Sequence, residues 1–228
     1  MRKFLSILFV LALSSVAVFG QVAEDENRYS IAVEGGPSFS KPLSSTYHFE
    51  RTMGSYFGVM MGYVIDDVFI LRVGISNQRK GGIQDVFYTN SNKDTTGTGT
   101  MLLRQNYLTI PLTFRAYLDK NQRFFLGGGA YLGFLLRSTG KYDNATKREI
   151  NTSTYAGSDI GFNLGAGIQQ RISKLIKLSL EAQYNYGVDN VLPQPKGRPT
   201  IPNWNHQATS VLLGVQYTIP YVREVEVE

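Results

Sequence analysis

The residues of this chain best equipped for chemistry are five charges on alternating segments and two histidines. Glu34, Arg72, Arg115, Lys177 and Glu181 each occupy the less apolar face of a segment in which side chains alternate. If that face turns inward, these charges share a narrow interior and must pair. Two roles fit them: a static ion network that fills the interior, or a gate for ions, the static network being the commoner use in a small barrel. Whether Arg72 or Lys177 reaches Glu34 and Glu181 depends on strand register, which the sequence leaves open. His48 and His206 fall at borders between loops and strands. No spacing ties either to a serine or a carboxylate, so a rim enzyme built on them is outweighed by ordinary surface histidines. Two histidines without cysteine give no metal site. Gly127, Gly129 and Gly133, like Gly161, Gly165 and Gly167, sit inside strand patterns with no helix following, which excludes a dinucleotide loop. They leave room beside bulky neighbours such as Tyr131. The expectation is therefore no catalytic residue, no cofactor and no metal.

A second set of charges falls on the connections. Arg79, Lys80, Lys141, Lys147, Arg148, Lys196 and Arg198 could meet the phosphates of outer-leaflet glycolipid, lipopolysaccharide included, or stand as solvated loop charge. Tyr88, Tyr142, Tyr155 and Trp204 are of types favoured in recognition surfaces, and could equally fold the loops against the mouth of a barrel.

The elements that position these groups are strands. Apolar residues recur with period two over Tyr29 to Phe39, Ser55 to Ile65, Val68 to Gln78, Asn106 to Arg115 and Phe124 to Leu136. They do so again over Asp159 to Gln169, Ile176 to Asn185 and Ser210 to Ile219, which makes eight segments. Alternation alone does not say which face points outward, because a soluble ligand-binding barrel also alternates. The charges and glycines of the less apolar face cannot build a solid hydrophobic core, so the apolar face must meet lipid. Tyr63, Tyr117, Tyr184 and Tyr217, with Phe114 and Phe124, fall near strand ends, as interface girdles would. Short links (65–67, 118–122, 171–174) alternate with long ones near 41–52, 80–101, 138–157 and 188–205. Pro111 inside a strand marks a bulge or a lost ladder bond. The fold expected is all-β: an eight-stranded antiparallel up-and-down transmembrane β-barrel over 29–219, both termini periplasmic and long loops extracellular.

The start of the chain fits export. Arg2 and Lys3 precede an apolar run from Phe4 to Leu13, which Ser14 and Ser15 interrupt, and small residues lead to Gln21. Residues 1–20 read as a cleaved signal peptide, 21–28 as a short periplasmic segment and 220–228 as an acidic periplasmic tail. Without Arg2 and Lys3 the formal charge falls from +5 to +3, with 21 basic against 18 acidic residues, so nucleic-acid binding gains no support. No cysteine is present, so an exported product relies on burial and backbone pairing rather than disulfides.

The segments YLTIPLTFRAYL (107–118), RFFLGGGAYLGFLL (123–136) and DIGFNLGAGIQQ (159–170), in that order, resemble the outer-membrane β-barrel family typified by PorT of Bacteroidetes. The resemblance spans nearly the whole chain after the signal and implies a barrel in the outer membrane of a Gram-negative bacterium. It also implies one possible role, an accessory of a type IX-like secretion system, with envelope or secretion proteins as partners. The residues themselves favour a non-enzymatic barrel with a filled lumen that displays its loops; a lipid-modifying enzyme is the least favoured alternative.

Overall fold

Period two in the sequence becomes alternation in exposure in the computed structural model, which describes residues 28–44, 47–91, 94–144, 147–192 and 204–220. Along Ile176–Gly187, Leu178, Leu180 and Tyr184 point out while Glu181, Gln183 and Asn185 are buried. The strands are β1 (Tyr29–Ser44), β2 (Phe49–Glu50), β3 (Thr52–Val64), β4 (Phe69–Thr89), β5 (Thr95–Tyr117), β6 (Phe124–Tyr142), β7 (Glu149–Ile150), β8 (Ser158–Arg171), β9 (Ile176–Gly187) and β10 (Trp204–Ile219). Eight long strands pair antiparallel with their sequence neighbours, and β10 closes on β1 from Tyr29↔Ile219 to Ser44↔Trp204. The two-residue strands β2 and β7 add to the outer ends of β4 and β6. Closure leaves no unpaired sheet edge around the ring, the condition a lipid environment imposes on β-structure.

The strands run further than the alternation suggested. β4 and β5 stay paired from Phe69↔Ala116 to Thr89↔Thr95, so the stretch expected as a long loop over 80–101 is mostly a hairpin that rises beyond the barrel. Thr, Gly and charged residues there mask the period, because both faces of a projecting hairpin are wet. Prolines act by removing a donor. Pairing between β4 and β5 skips Gly74, Ile75, Ile110 and Pro111 and resumes in unchanged register, and between β1 and β10 it skips Gly36 and Pro37 in the same way. Pro111 therefore marks a lost ladder bond rather than a bulge. Within the barrel wall a bulge lies elsewhere: Asn106 faces Arg137 and Tyr107 faces Leu135, so Leu136 is an extra residue on β6. It turns Arg137 outward, where strict alternation would put it inside.

The outer wall is an apolar belt. On β6 it runs from Phe124 to Leu136, about 40 Å along a strand at ~3.3 Å per residue and about 30 Å of height at a tilt near 40°. Side chains such as Leu213, Leu164 and Phe162 stand 59–68% exposed on it. Each would forgo about 1.5–3 kcal/mol in water relative to burial, so dozens of them require a lipid cover. Tyr117 is not part of a girdle: it is buried inside with Phe125 and Ile70, because it shares the inward parity of Arg115. Among the described residues no helix is long and apolar enough to cross a membrane, which bears only on helices.

Candidate functional site

The inner face is stacked in layers. At the end with the short turns, Tyr117, Phe125 and Ile70 form an apolar floor, and Lys177 donates to Gln122 Oε1 (2.9 Å) beside the Tyr117 ring. At mid-height, register brings four of the five expected inner charges together. Arg72 meets Glu34 at 2.5 Å and Glu181 at 3.9 Å, Arg115 meets Glu181 at 2.6 Å, and the Tyr56 hydroxyl donates to Glu34 (3.3 Å). Two carboxylates face two guanidiniums, so the cluster is neutral. Arg115 also lies over the Phe125 ring, 3.7 Å from its centroid. The space left among these side chains is about 10 Å³, enough for no more than one water. Lys177 is not in the cluster; its position on β9 falls nearer the short turn, four residues before Glu181.

Above this lies a polar layer, most of it at positions that alternation puts on the inner face but that had not been singled out. Gln78 donates to Ser38 and accepts from Asn185, and Ser210 bonds Ser38. Lys80 is buried, with its ammonium 2.6 Å from Asp159 and 4.5 Å from the Tyr131 ring centroid. The expectation of Lys80 as a loop cation is overturned: β4 continues past Gln78, and position 80 has inward parity. His206 is likewise no surface histidine, being the third residue of β10, buried, with Nε2 3.4 Å from the Tyr107 hydroxyl. His48 is exposed between β1 and β2, so the two histidines form no pair.

The lumen ends under an apolar cap of Phe49, Leu103, Tyr155, Val191 and Trp204, with Leu135 and Leu192 packed against it. Trp204 stands edge-on to Phe49, centroids 4.7 Å apart, and is 7% exposed. It opens β10 and faces inward, so it is not a free loop contact. Of the other expected loop cations, Arg79, Lys147 and Arg148 are exposed and Lys141 is half-buried on β6. Lys196 and Arg198, the signal and both terminal segments lie outside the described residues. Arg79 donates from Nε to Asn106 (3.2 Å) on the outer wall, and Arg104, which the sequence reading passed over, lies within electrostatic reach of Arg79 and Arg148. Tyr88 donates to Asp143 (2.6 Å), tying the β4–β5 hairpin to the end of β6; that bond, with further backbone bonds, holds the Asp143 carboxyl below its ordinary range. Among the described residues no cluster of three or more His, Asp or Glu could hold a metal ion.

Solved structures similar to this chain are outer-membrane barrels. Neisserial surface protein A is 16% identical, covering 84% of this chain and 97% of its own at a TM-score of 0.44. The attachment invasion locus protein Ail of Yersinia pestis is 12% identical, covering 83% and 99% at a TM-score of 0.42. OprG of Pseudomonas aeruginosa is 9% identical, covering 86% and 100% at a TM-score of 0.38. No curated protein matches the chain. Residues 19–192 match the family model described as outer membrane protein beta-barrel domain, and the chain belongs to that family of outer-membrane barrels.

Proposed function

We propose that this protein is a non-enzymatic barrel of the outer membrane whose lumen is closed and whose function is presented by its long connections. The observation that carries this is the inside of the barrel: a neutral four-residue ion network, a second buried pair between Lys80 and Asp159, and an apolar cap above both. An ion crossing this path would have to strip its water and break paired charges in sequence, each break costing about 3–5 kcal/mol. The neutrality of the cluster and the small space left around it fit a static plug better than a gate, the plug being the commoner use of a small barrel's interior. A lipid-modifying role on His206 finds no support in its burial beneath the cap.

The orientation proposed puts the short turns and both termini in the periplasm and the long connections outside the cell, as an even strand number allows. The chain has no cysteine, so single cysteines report cleanly. Asn144→Cys should react with a membrane-impermeant maleimide on intact cells and Lys120→Cys only after lysis; the reverse pattern would invert the topology. Closure is tested by osmotic swelling of proteoliposomes, which should not admit small sugars. A PorT-like secretion accessory remains the alternative suggested by the sequence segments alone, and a deletion strain that exports type IX cargo normally would remove it.

A further inference from the structure

The outer faces of β4, β5 and β6 carry a feature that a closed lumen does not use. Arg79, Asn106 and Arg137 form one register row across these three strands, and Arg104 stands two residues beyond Asn106 on β5. The row lies immediately past the last belt residues, Ile75, Leu108 and Leu136, at the side of the long connections. Arg137 belongs to it only because the bulge at Leu136 turns it outward. Arg148 and Arg79 both lie within electrostatic reach of Arg104. Among the described residues none of the four arginines forms an ion pair, and the Arg104 Nε is buried without a partner.

The acids of this rim do not answer them. Asp143 is taken by Tyr88 and the Thr100 amide, and Asp94 by Asn90. Asp85 lies six residues beyond Arg79 on β4, roughly 20 Å along the strand. Glu149, next to Arg148 in the chain, and Glu50, opposite Ile83 on the rim of β4, pair with none of the four. The segments of this rim outside the described residues (45–46, 92–93, 145–146, 193–203) contain no Asp or Glu. A like-charged cluster at the edge of an apolar belt, with no acid paired to it, calls for an external anion at the depth of lipid headgroups.

We infer that this arginine row binds the phosphates of a phosphorylated glycolipid in the leaflet on the side of the long connections. Guanidinium offers a planar fork that matches phosphate oxygens, which ammonium does not. Arg79 and Arg137 stand two strand spacings apart, about 10 Å, a width that favours a headgroup with more than one phosphate over a single phosphodiester. The Arg79 Nε is committed to Asn106, which fixes the guanidinium and leaves its terminal nitrogens for the ligand. The assignment rests on the membrane-spanning reading but not on lumen closure, since all four side chains lie outside the lumen.

The test uses refolded protein in detergent, with diphosphoryl lipid A as the probe and native mass spectrometry as the readout. Wild type should retain one lipid A in preference to phosphatidylglycerol. Each lost arginine should weaken retention about fivefold, so the triple variant Arg79→Gln, Arg104→Gln, Arg137→Gln should lose about a hundredfold. The triple lysine variant should fall between, because charge remains while the fork is lost. Equal retention by wild type and the triple glutamine variant, or equal retention of phosphatidylglycerol, would overturn the inference. So would displacement of the lipid by millimolar inorganic phosphate, which would make the ligand a soluble anion. Heat-modifiable migration of the glutamine variant confirms that the barrel is intact, and failure of wild type to insert into vesicles would instead remove the membrane reading.

Discussion

Substituting Glu181 by Gln keeps the side-chain shape and removes one charge from the mid-height cluster. Glu181 accepts from Arg115 at 2.6 Å and lies 3.9 Å from Arg72, which is held by Glu34. Without that charge, two guanidiniums face the single carboxylate of Glu34 in a site with about 10 Å³ of free space, and Arg115 keeps the face of Phe125 and a neutral amide acceptor in place of its counter-ion. Breaking a buried pair from one side costs about 3–5 kcal/mol. With a urea slope of roughly 2 kcal/mol/M, the unfolding midpoint in lipid vesicles should fall by about 2 M. The double variant Arg115→Met, Glu181→Met removes both members, leaves the neutral Glu34–Arg72 pair, and should recover most of the loss. The assay is urea titration followed by loss of heat-modifiable migration, with Arg115→Met and Glu181→Met as the single variants that complete the cycle. A single variant within about 1 kcal/mol of wild type, with a coupling near zero, would mean that water reaches these charges and that the plug is not dry.

Lys80→Met should destabilise by a similar amount, about 3–5 kcal/mol, and Lys80→Met with Asp159→Asn should regain most of it in the same titration. At the short-turn rim, Asp119 accepts from the backbone N–H groups of Phe124 and Arg123 and from Arg123 Nε, and the Phe124 bond first of all holds its carboxyl below the ordinary range. A lowered folded value means that this contribution is present above the unfolded carboxylate value of about 3.9 and is lost as pH falls through the folded one. Amide protection factors at Arg123 and Phe124, which remove the intrinsic pH dependence of exchange, should therefore stay high at pH 5 and fall only in stronger acid, whereas in Asp119→Asn they should be low at both. Trp204, the single tryptophan, should resist acrylamide quenching, and Phe49→Ala should expose it while costing about 3–5 kcal/mol.

The barrel was legible because its two faces differ in chemistry at every second residue: Leu178, Leu180 and Tyr184 against Lys177, Glu181 and Gln183 admit one arrangement once lipid is the outer solvent. Inner charges were legible by parity alone, which is why Glu34, Arg72, Arg115 and Glu181 were named before register joined them, and why Lys177 was named with a cluster it does not enter. Where the hydrophobic period fades, parity still holds but its signal does not. Lys80 and Trp204 were thus assigned to loops although ladder pairing carries the strands through them. His206 was missed as an interior group for the same reason, its strand beginning earlier than the apolar pattern, whereas Asp159 falls on the inner face by alternation and went unnamed because its partner Lys80 was read as a loop residue. Arg137 was hidden by the opposite effect, a one-residue bulge that breaks parity without any proline or glycine to announce it.

Paired charges and an apolar cap should close this barrel to ions. Single-channel recording of the refolded protein in a planar bilayer tests it most directly, with insertion verified independently by protease protection. Wild type should give a flat baseline under voltages of either sign. Stable, voltage-independent conductance steps from verified single insertions would contradict it.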